Sequence, residues 1–121
     1  MQPKTVLVVD DAFIVRQLCA VALMRVGYNV IQAINGMDAL KQIHGIDVDL
    51  VITDINMPEM DGIQLIRSLR LLPNMKSTPI IVLTTLSQEH QVNEGMAAGA
   101  SSWIFKPFDA NKLLEEVWKF R

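Results

Sequence analysis

Three aspartates, a threonine and a lysine each stand directly after a short apolar run in this 121-residue chain, and these are its candidates for chemistry. Asp10 and Asp11 follow residues 6–9, Asp54 follows 50–53, Thr84 follows 80–83 and Lys106 follows 103–105. Unbroken apolar runs of this length suit strands buried on both faces. Carboxylates gathered at one end of an apolar sheet repel one another, so without a cation at least one should have a raised pKa. A hard divalent ion relieves that repulsion. Magnesium prefers oxygen ligands and is typically held by one or two carboxylates plus phosphate oxygens. Asp11 and Asp54 suit direct ligation and Asp10 ligation through water, with Mn2+ able to replace Mg2+.

A phosphoryl group moving onto a carboxylate needs positioning and compensation of its negative charge more than covalent help. In that reading Asp54 receives the group, the metal and Lys106 offset charge on two of its oxygens, and the Thr84 hydroxyl donates to a third. Each residue also has a plainer explanation. Asp10 or Asp11 could cap a helix, Asp54 could shape a turn, Thr84 could be there for its strand propensity and Lys106 could be a solvated surface lysine. Their shared place at one edge favours the chemical reading. Pro107 confines the Lys106 backbone to extended geometry and admits either peptide isomer.

The scaffold that would position these groups is legible as alternating elements. After the first strand, Ile14, Leu18, Val21 and Ala22 recur at helical spacing over 13–26, and Gly27 closes the helix. A short strand through Val30 and Ile31, a helix over 36–44 and a buried strand over 50–53 follow. Met57, Pro58, Met60, Asp61 and Gly62 form a loop before a helix through Ile63, Ile66 and Leu69, which ends before Pro73. Beyond the strand at 80–83 come a helix from Ser87 to Ala98, a strand through Trp103, Ile104 and Phe105, and a last helix from Asp109. Five strand–helix pairs predict a doubly wound parallel α/β sheet with right-handed crossovers. Functional groups then collect beyond the C-terminal strand ends.

Composition narrows the class. Half the residues are apolar, and 1–121 is expected to form one domain with its own core. A formal charge of −2 offers no basic stripe for nucleic acid. Cys19 is the only cysteine, which excludes an internal disulfide and a thiolate zinc cluster. The start MQPK lacks a secretory pattern and no run is long enough for a bilayer, so the expected setting is the cytoplasm. His44 and His90 fall on helices away from the acidic edge and carry no assigned role. The methionines are read as gap fillers.

Taken in order, LVVDD at 7–11, DINMPEMDG at 54–62, Thr84, AAGAS at 97–101 and KPF at 106–108 resemble the receiver domains of bacterial two-component response regulators, above all the single-domain chemotaxis members. The resemblance covers the whole chain. It implies a flavodoxin-like (βα)5 fold with strand order 2-1-3-4-5, Asp54 as phosphoacceptor, and Mg2+ on Asp11, Asp54 and the backbone carbonyl of Asn56, with Asp10 in support. It also implies that Thr84 moves to the phosphoryl oxygen, that Trp103 reorients with it, and that Lys106 links the aspartyl phosphate to the last strand. The implied donor is a phosphohistidine on a partner histidine kinase. Leu86 departs from the chemotaxis pattern, which is acidic there and helps set the rate of phosphoryl loss; Trp103 stands where tyrosine or phenylalanine is usual.

On the last helix Leu113, Val117 and Phe120 would face the sheet, while Leu114 and Trp118 widen the apolar stripe. With Trp103 they form either a phosphorylation-dependent partner surface or packing beneath the preceding helix. Expected partners are a kinase, a target such as a flagellar motor switch protein, and a phosphatase, acting on a monomer. A phosphohydrolase with an aspartyl-phosphate intermediate is disfavoured because Asn56, two residues past Asp54, cannot protonate a leaving group. A nucleotide-binding domain would need glycines where Asp10, Asp11 and Ala12 stand. The chain opens on Met1 and stops with the fifth helix, favouring a free-standing regulator over a receiver excised from a longer protein.

Overall fold

Five parallel strands, Thr5–Val9 (β1), Asn29–Ala33 (β2), Leu50–Asp54 (β3), Ile80–Thr84 (β4) and Ser102–Phe105 (β5), form one sheet in the order β2-β1-β3-β4-β5 in the computed structural model, which describes residues 3–121. β3 and β4 are buried at every position, as the unbroken apolar runs require of strands covered on both faces. The register sets the site. Val9 pairs with Thr53, Asp54 with Leu83 and Thr84 with Phe105, so Asp10, Asp54, Thr84 and Lys106 emerge in one row at the C-terminal edge.

The helices are Phe13–Arg25 (α1), Gly36–Gln42 (α2), Gly62–Arg70 (α3), Val92–Ala98 (α4) and Ala110–Trp118 (α5). α1 packs against α5, while α3 lies between α2 and α4. One core, including Leu7, Val51, Ile66 and Leu69, lies under α2 and α3; the other, including Val8, Ile52, Leu23 and Leu113, lies under α1 and α5. Each fully buried aliphatic side chain contributes about 1.5–3 kcal/mol relative to exposure, so the paired cores hold the edge groups on a rigid frame.

Burial and helix boundaries add detail that the sequence expectation lacked. In α1 the large apolar residues Ile14, Leu18 and Val21 face solvent, Ile14 at 81% exposure, whereas Cys19, Ala20, Ala22 and Leu23 are buried. Small side chains let the helix approach the sheet, so the inward face is the less bulky of two apolar faces. The helix expected over 87–98 is split into a 3-10 segment, Leu86–Gln91, and α4. A capping box between Thr85 and Gln88 holds the first part in the tighter winding. A further 3-10 turn, Pro73–Met75, follows α3, and α2 ends two residues before His44. Cys19 is buried and its thiol is pushed up to about 12, mainly by desolvation, which suits an inert packing role.

Candidate functional site

The central acidic group is fixed by the strand ends that carry it. Asp10 is fully buried just beyond β1. Its Oδ1 accepts from the Ala12 N–H at 2.8 Å and its Oδ2 pairs with Lys106 Nζ at 3.0 Å. Asp54, the last residue of β3, is also buried; its Oδ1 accepts from the Ile55 N–H at 2.9 Å and lies 3.2 Å from Lys106 Nζ. Lys106 thus bridges two carboxylates brought from different strands. Asp11 is exposed, but it offers a carboxylate oxygen that lies with those of Asp10 and Asp54 inside a 4.8 Å spread. Three hard oxygen donors so close together fit a divalent cation such as Mg2+.

The capping explanation for the aspartate pair does not hold. The N-cap of α1 is Ala12, which makes no side-chain cap, and the first turn carries no acidic residue. Asp10 instead spends one oxygen on the turn and the other on Lys106.

The electrostatics follow from burial. Desolvation, then the neighbouring Asp10 charge, raises the Asp54 carboxyl from 3.8 to about 6, against the opposing pull of Lys106 and the Ile55 N–H. For Lys106, burial pulls downward, but its contacts with Asp10 and Asp54 outweigh this and raise its pKa. Lys106 therefore stays charged at neutral pH. The Lys106–Pro107 bond is cis.

The loop after Asp54 is shaped by close approach. Gly62, the first residue of α3, donates its N–H to Ile55 O at 2.7 Å, and a Cβ there would collide with the Asp54 carbonyl oxygen. Glu59 adopts φ 71°, in the left-handed region, as the chain turns back. Asp61 then caps α3 reciprocally with Gln64. Gly62 is a positioning residue that the sequence reading left as part of a motif; the signal for it was glycine at the junction of a loop and a helix.

The remaining expected residues sit around this centre. Thr84 is fully buried, and its hydroxyl contacts Thr85 O at 3.2 Å and Gln88 Oε1 at 3.4 Å. Asn56 is exposed in the loop, and its side-chain amide faces that of Gln91. Trp103 is 40% exposed on β5. Leu114 is half-buried against the core of α1 and α5, while Trp118 is 60% exposed with the Arg121 guanidinium stacked 4.3 Å from its ring. His44 and His90 are exposed. Gln88 and Gln91 were not anticipated, since neither type advertises chemistry by itself.

Comparison with known proteins agrees with this geometry. The profile of the response regulator receiver domain family matches residues 6–118. The chemotaxis protein CheY of Thermotoga maritima is 37% identical over 118 residues, covering 96% of this chain and 96% of that protein. The solved chemotaxis response regulator CheY4 of Vibrio cholerae superposes with a TM-score of 0.93 at 35% identity, covering 98% of this chain and 99% of that one. The signal receiver domain of a signal transduction histidine kinase from Syntrophus aciditrophicus gives a TM-score of 0.87 at 32% identity, over 97% of this chain and 89% of that one. Sequence and fold point the same way from the first strand into the last helix, and the chain belongs to the response regulator receiver domains.

Proposed function

We propose that this chain is a single-domain response regulator, residues 1–121, that takes a phosphoryl group from the phosphohistidine of a partner kinase onto Asp54, with the signal read out in chemotaxis. The observation that carries this reading is Asp54 itself: a buried carboxylate flanked by Asp10, Asp11 and the Lys106 ammonium at the end of a central strand. Oδ1 is occupied by the Ile55 N–H and Lys106, and Oδ2 has no hydrogen-bond partner among the described residues. An Asp54 oxygen attacks phosphorus, the phosphorus–nitrogen bond of the donor breaks, and its electron pair stays on the imidazole, which takes up a proton. The product is an acyl phosphate on Asp54 and a free histidine on the donor.

Asp11, Asp54 and the Asn56 backbone carbonyl are the residues that would hold Mg2+, with Asp10 in support. When bound, the ion neutralises negative charge on the carboxylates and phosphoryl oxygens. The protein's own part is to hold Asp54 in place, to keep Lys106 charged beside it and to supply the Thr84 hydroxyl. The Asn56 amide is too weak an acid to protonate a leaving group, which favours a switch over a phosphohydrolase. Among the described residues no helix is long and apolar enough to cross a membrane, and we place the protein in the cytoplasm as a monomer, serving a kinase, a phosphorylation-dependent target such as a motor switch protein, and a phosphatase.

The likeness to the receiver of a histidine kinase supports a second reading, in which the same domain serves within a larger regulator. The phosphoacceptor chemistry is common to both. Incubation with Mg2+ and a small acyl phosphate should add one phosphoryl mass to the wild type, and none to Asp54→Asn or without the metal. An adduct that persists on Asp54→Asn overturns the assignment.

A further inference from the structure

Between β4 and α4 the chain runs through the 3-10 segment Leu86–Gln91, which buries none of its residues. Four of its six side chains are exposed, and the two that are half-buried are Gln88 and Gln91. A 3-10 helix repeats every three residues, so these two positions eclipse on one face. That face is turned toward the site. Gln88 Oε1 accepts from the Thr85 N–H at 3.0 Å and stands 3.4 Å from the Thr84 hydroxyl. Gln91 faces the Asn56 amide reciprocally, each side chain donating to the other at 3.4 Å.

We infer that Gln88 and Gln91 form a latch that holds the β4–α4 segment in its unphosphorylated arrangement. Gln88 gives the Thr84 hydroxyl and the next backbone N–H a partner. Gln91 ties the far end of the segment to the loop that follows the phosphoacceptor. The latch rests on the reading of Thr84 as the hydroxyl that follows the phosphoryl group: to reach it, Thr84 must leave Gln88. The Thr84 hydroxyl has one proton, which Thr85 O at 3.2 Å and Gln88 Oε1 at 3.4 Å share and which cannot also serve a phosphoryl oxygen. Both glutamines therefore stabilise the resting state alone, and a contact present in one state only shifts the equilibrium between them. They are positioning residues that act through Thr84 and Asn56.

The test uses the full chain with magnesium and beryllofluoride, a phosphoryl mimic, titrated against the intrinsic fluorescence of Trp103 and Trp118. Methionine keeps the length of glutamine and removes its amide. Gln88→Met and Gln91→Met should each bind the mimic about threefold to tenfold more tightly than the wild type, the loss of one or two neutral hydrogen bonds from the resting state. Amide exchange across 86–91 should rise in the unliganded variants and match the wild type once the mimic is bound. Unchanged or weaker binding by both variants overturns the latch, including the case where exchange rises without a change in affinity. If the wild type takes up no mimic while Asp54→Asn behaves identically, the acceptor assignment falls and the latch with it. Uptake by the wild type that is abolished in Asp54→Asn, alongside unchanged glutamine variants, removes the latch alone.

Discussion

The acidic pocket and the segment beside it are built on opposite terms. In the pocket, Asp10, Asp54 and Lys106 meet through ion pairs of 3.0 and 3.2 Å between side chains largely withdrawn from water. The segment Leu86–Gln91 has no buried residue, and its links to Thr84 and Asn56 are neutral contacts of 3.4 Å. Removing one partner of a buried ion pair costs several kcal/mol, whereas a neutral hydrogen bond contributes only about 0.5–1.5 kcal/mol net. The division suits the proposed function. In that proposal the phosphoryl group meets a fixed geometry and the element that reports it moves for little energy. The far end of α4 is anchored again, because the Arg70 guanidinium donates to the carbonyls of Gly99, Met75 and Thr78 at 2.6–2.7 Å.

Removal of the bridging cation tests the rigid half most severely. Lys106→Met leaves Asp10 and Asp54 facing each other uncompensated, and in metal-free buffer it should cost about 3 kcal/mol in denaturant unfolding. Phosphoryl uptake should slow by on the order of 100-fold, the usual loss when one charge-stabilising donor is removed. A variant with wild-type stability and uptake would show that the pocket does not depend on its lysine and would erase the contrast with the segment.

A smaller effect comes from pH. The Asp54 carboxyl is held at about 6 in the folded protein against 3.8 for the free side chain, so the folded state binds this proton more tightly than the unfolded chain. Stability from this group is therefore fully present below about pH 4 and lost as pH rises through about 6. In EDTA, Asp54→Asn should unfold at higher denaturant than the wild type at pH 7, by on the order of 2 kcal/mol, and the difference should shrink toward pH 4. A difference that stays flat across that window contradicts the buried, like-charged setting of Asp54. Other titrating groups contribute to both proteins and largely cancel.

The rigid half is also the half that the sequence expresses most directly. The apolar runs of β1, β3 and β4 read as strands covered on both sides, as their burial bears out, and with helices alternating between strands the polar residues that follow them share one edge, which is where Asp10, Asp54, Thr84 and Lys106 stand. The spacing of apolar residues marks α1 as a helix but does not tell which of its two apolar sides faces the sheet. Bulk drew attention to Ile14, Leu18 and Val21, while close packing selected Cys19, Ala20 and Ala22. Gly62 matters through its contact with the Asp54 carbonyl, a tertiary constraint that no local pattern records. The split helix over 86–98 depends on the Thr85–Gln88 cap, which competes with α-helical winding only once Thr84 is anchored in β4.

The last helix offers the gentlest version of the same contrast. Leu114 and Trp118 were grouped as one surface because they lie on adjacent turns, but Leu114 is half-buried against the core and Trp118 projects into solvent over Arg121. Leu114→Ala should therefore lower stability by about 1–2 kcal/mol, less than a fully buried leucine because only part of its surface is withdrawn from water. Trp118→Ala should cost under about 1 kcal/mol, the worth of an exposed cation–π contact. If the partner surface is real, its energetic weight then falls on Trp118, since an exposed aromatic can bury new area on binding and a side chain already packed on the core cannot. Binding of the phosphorylated domain to a motor switch protein should weaken in Trp118→Ala while Asp54 phosphorylation proceeds at the wild-type rate. Equal affinity for both proteins would leave α5 as a packing element and confine the moving surface to the segment that follows Thr84.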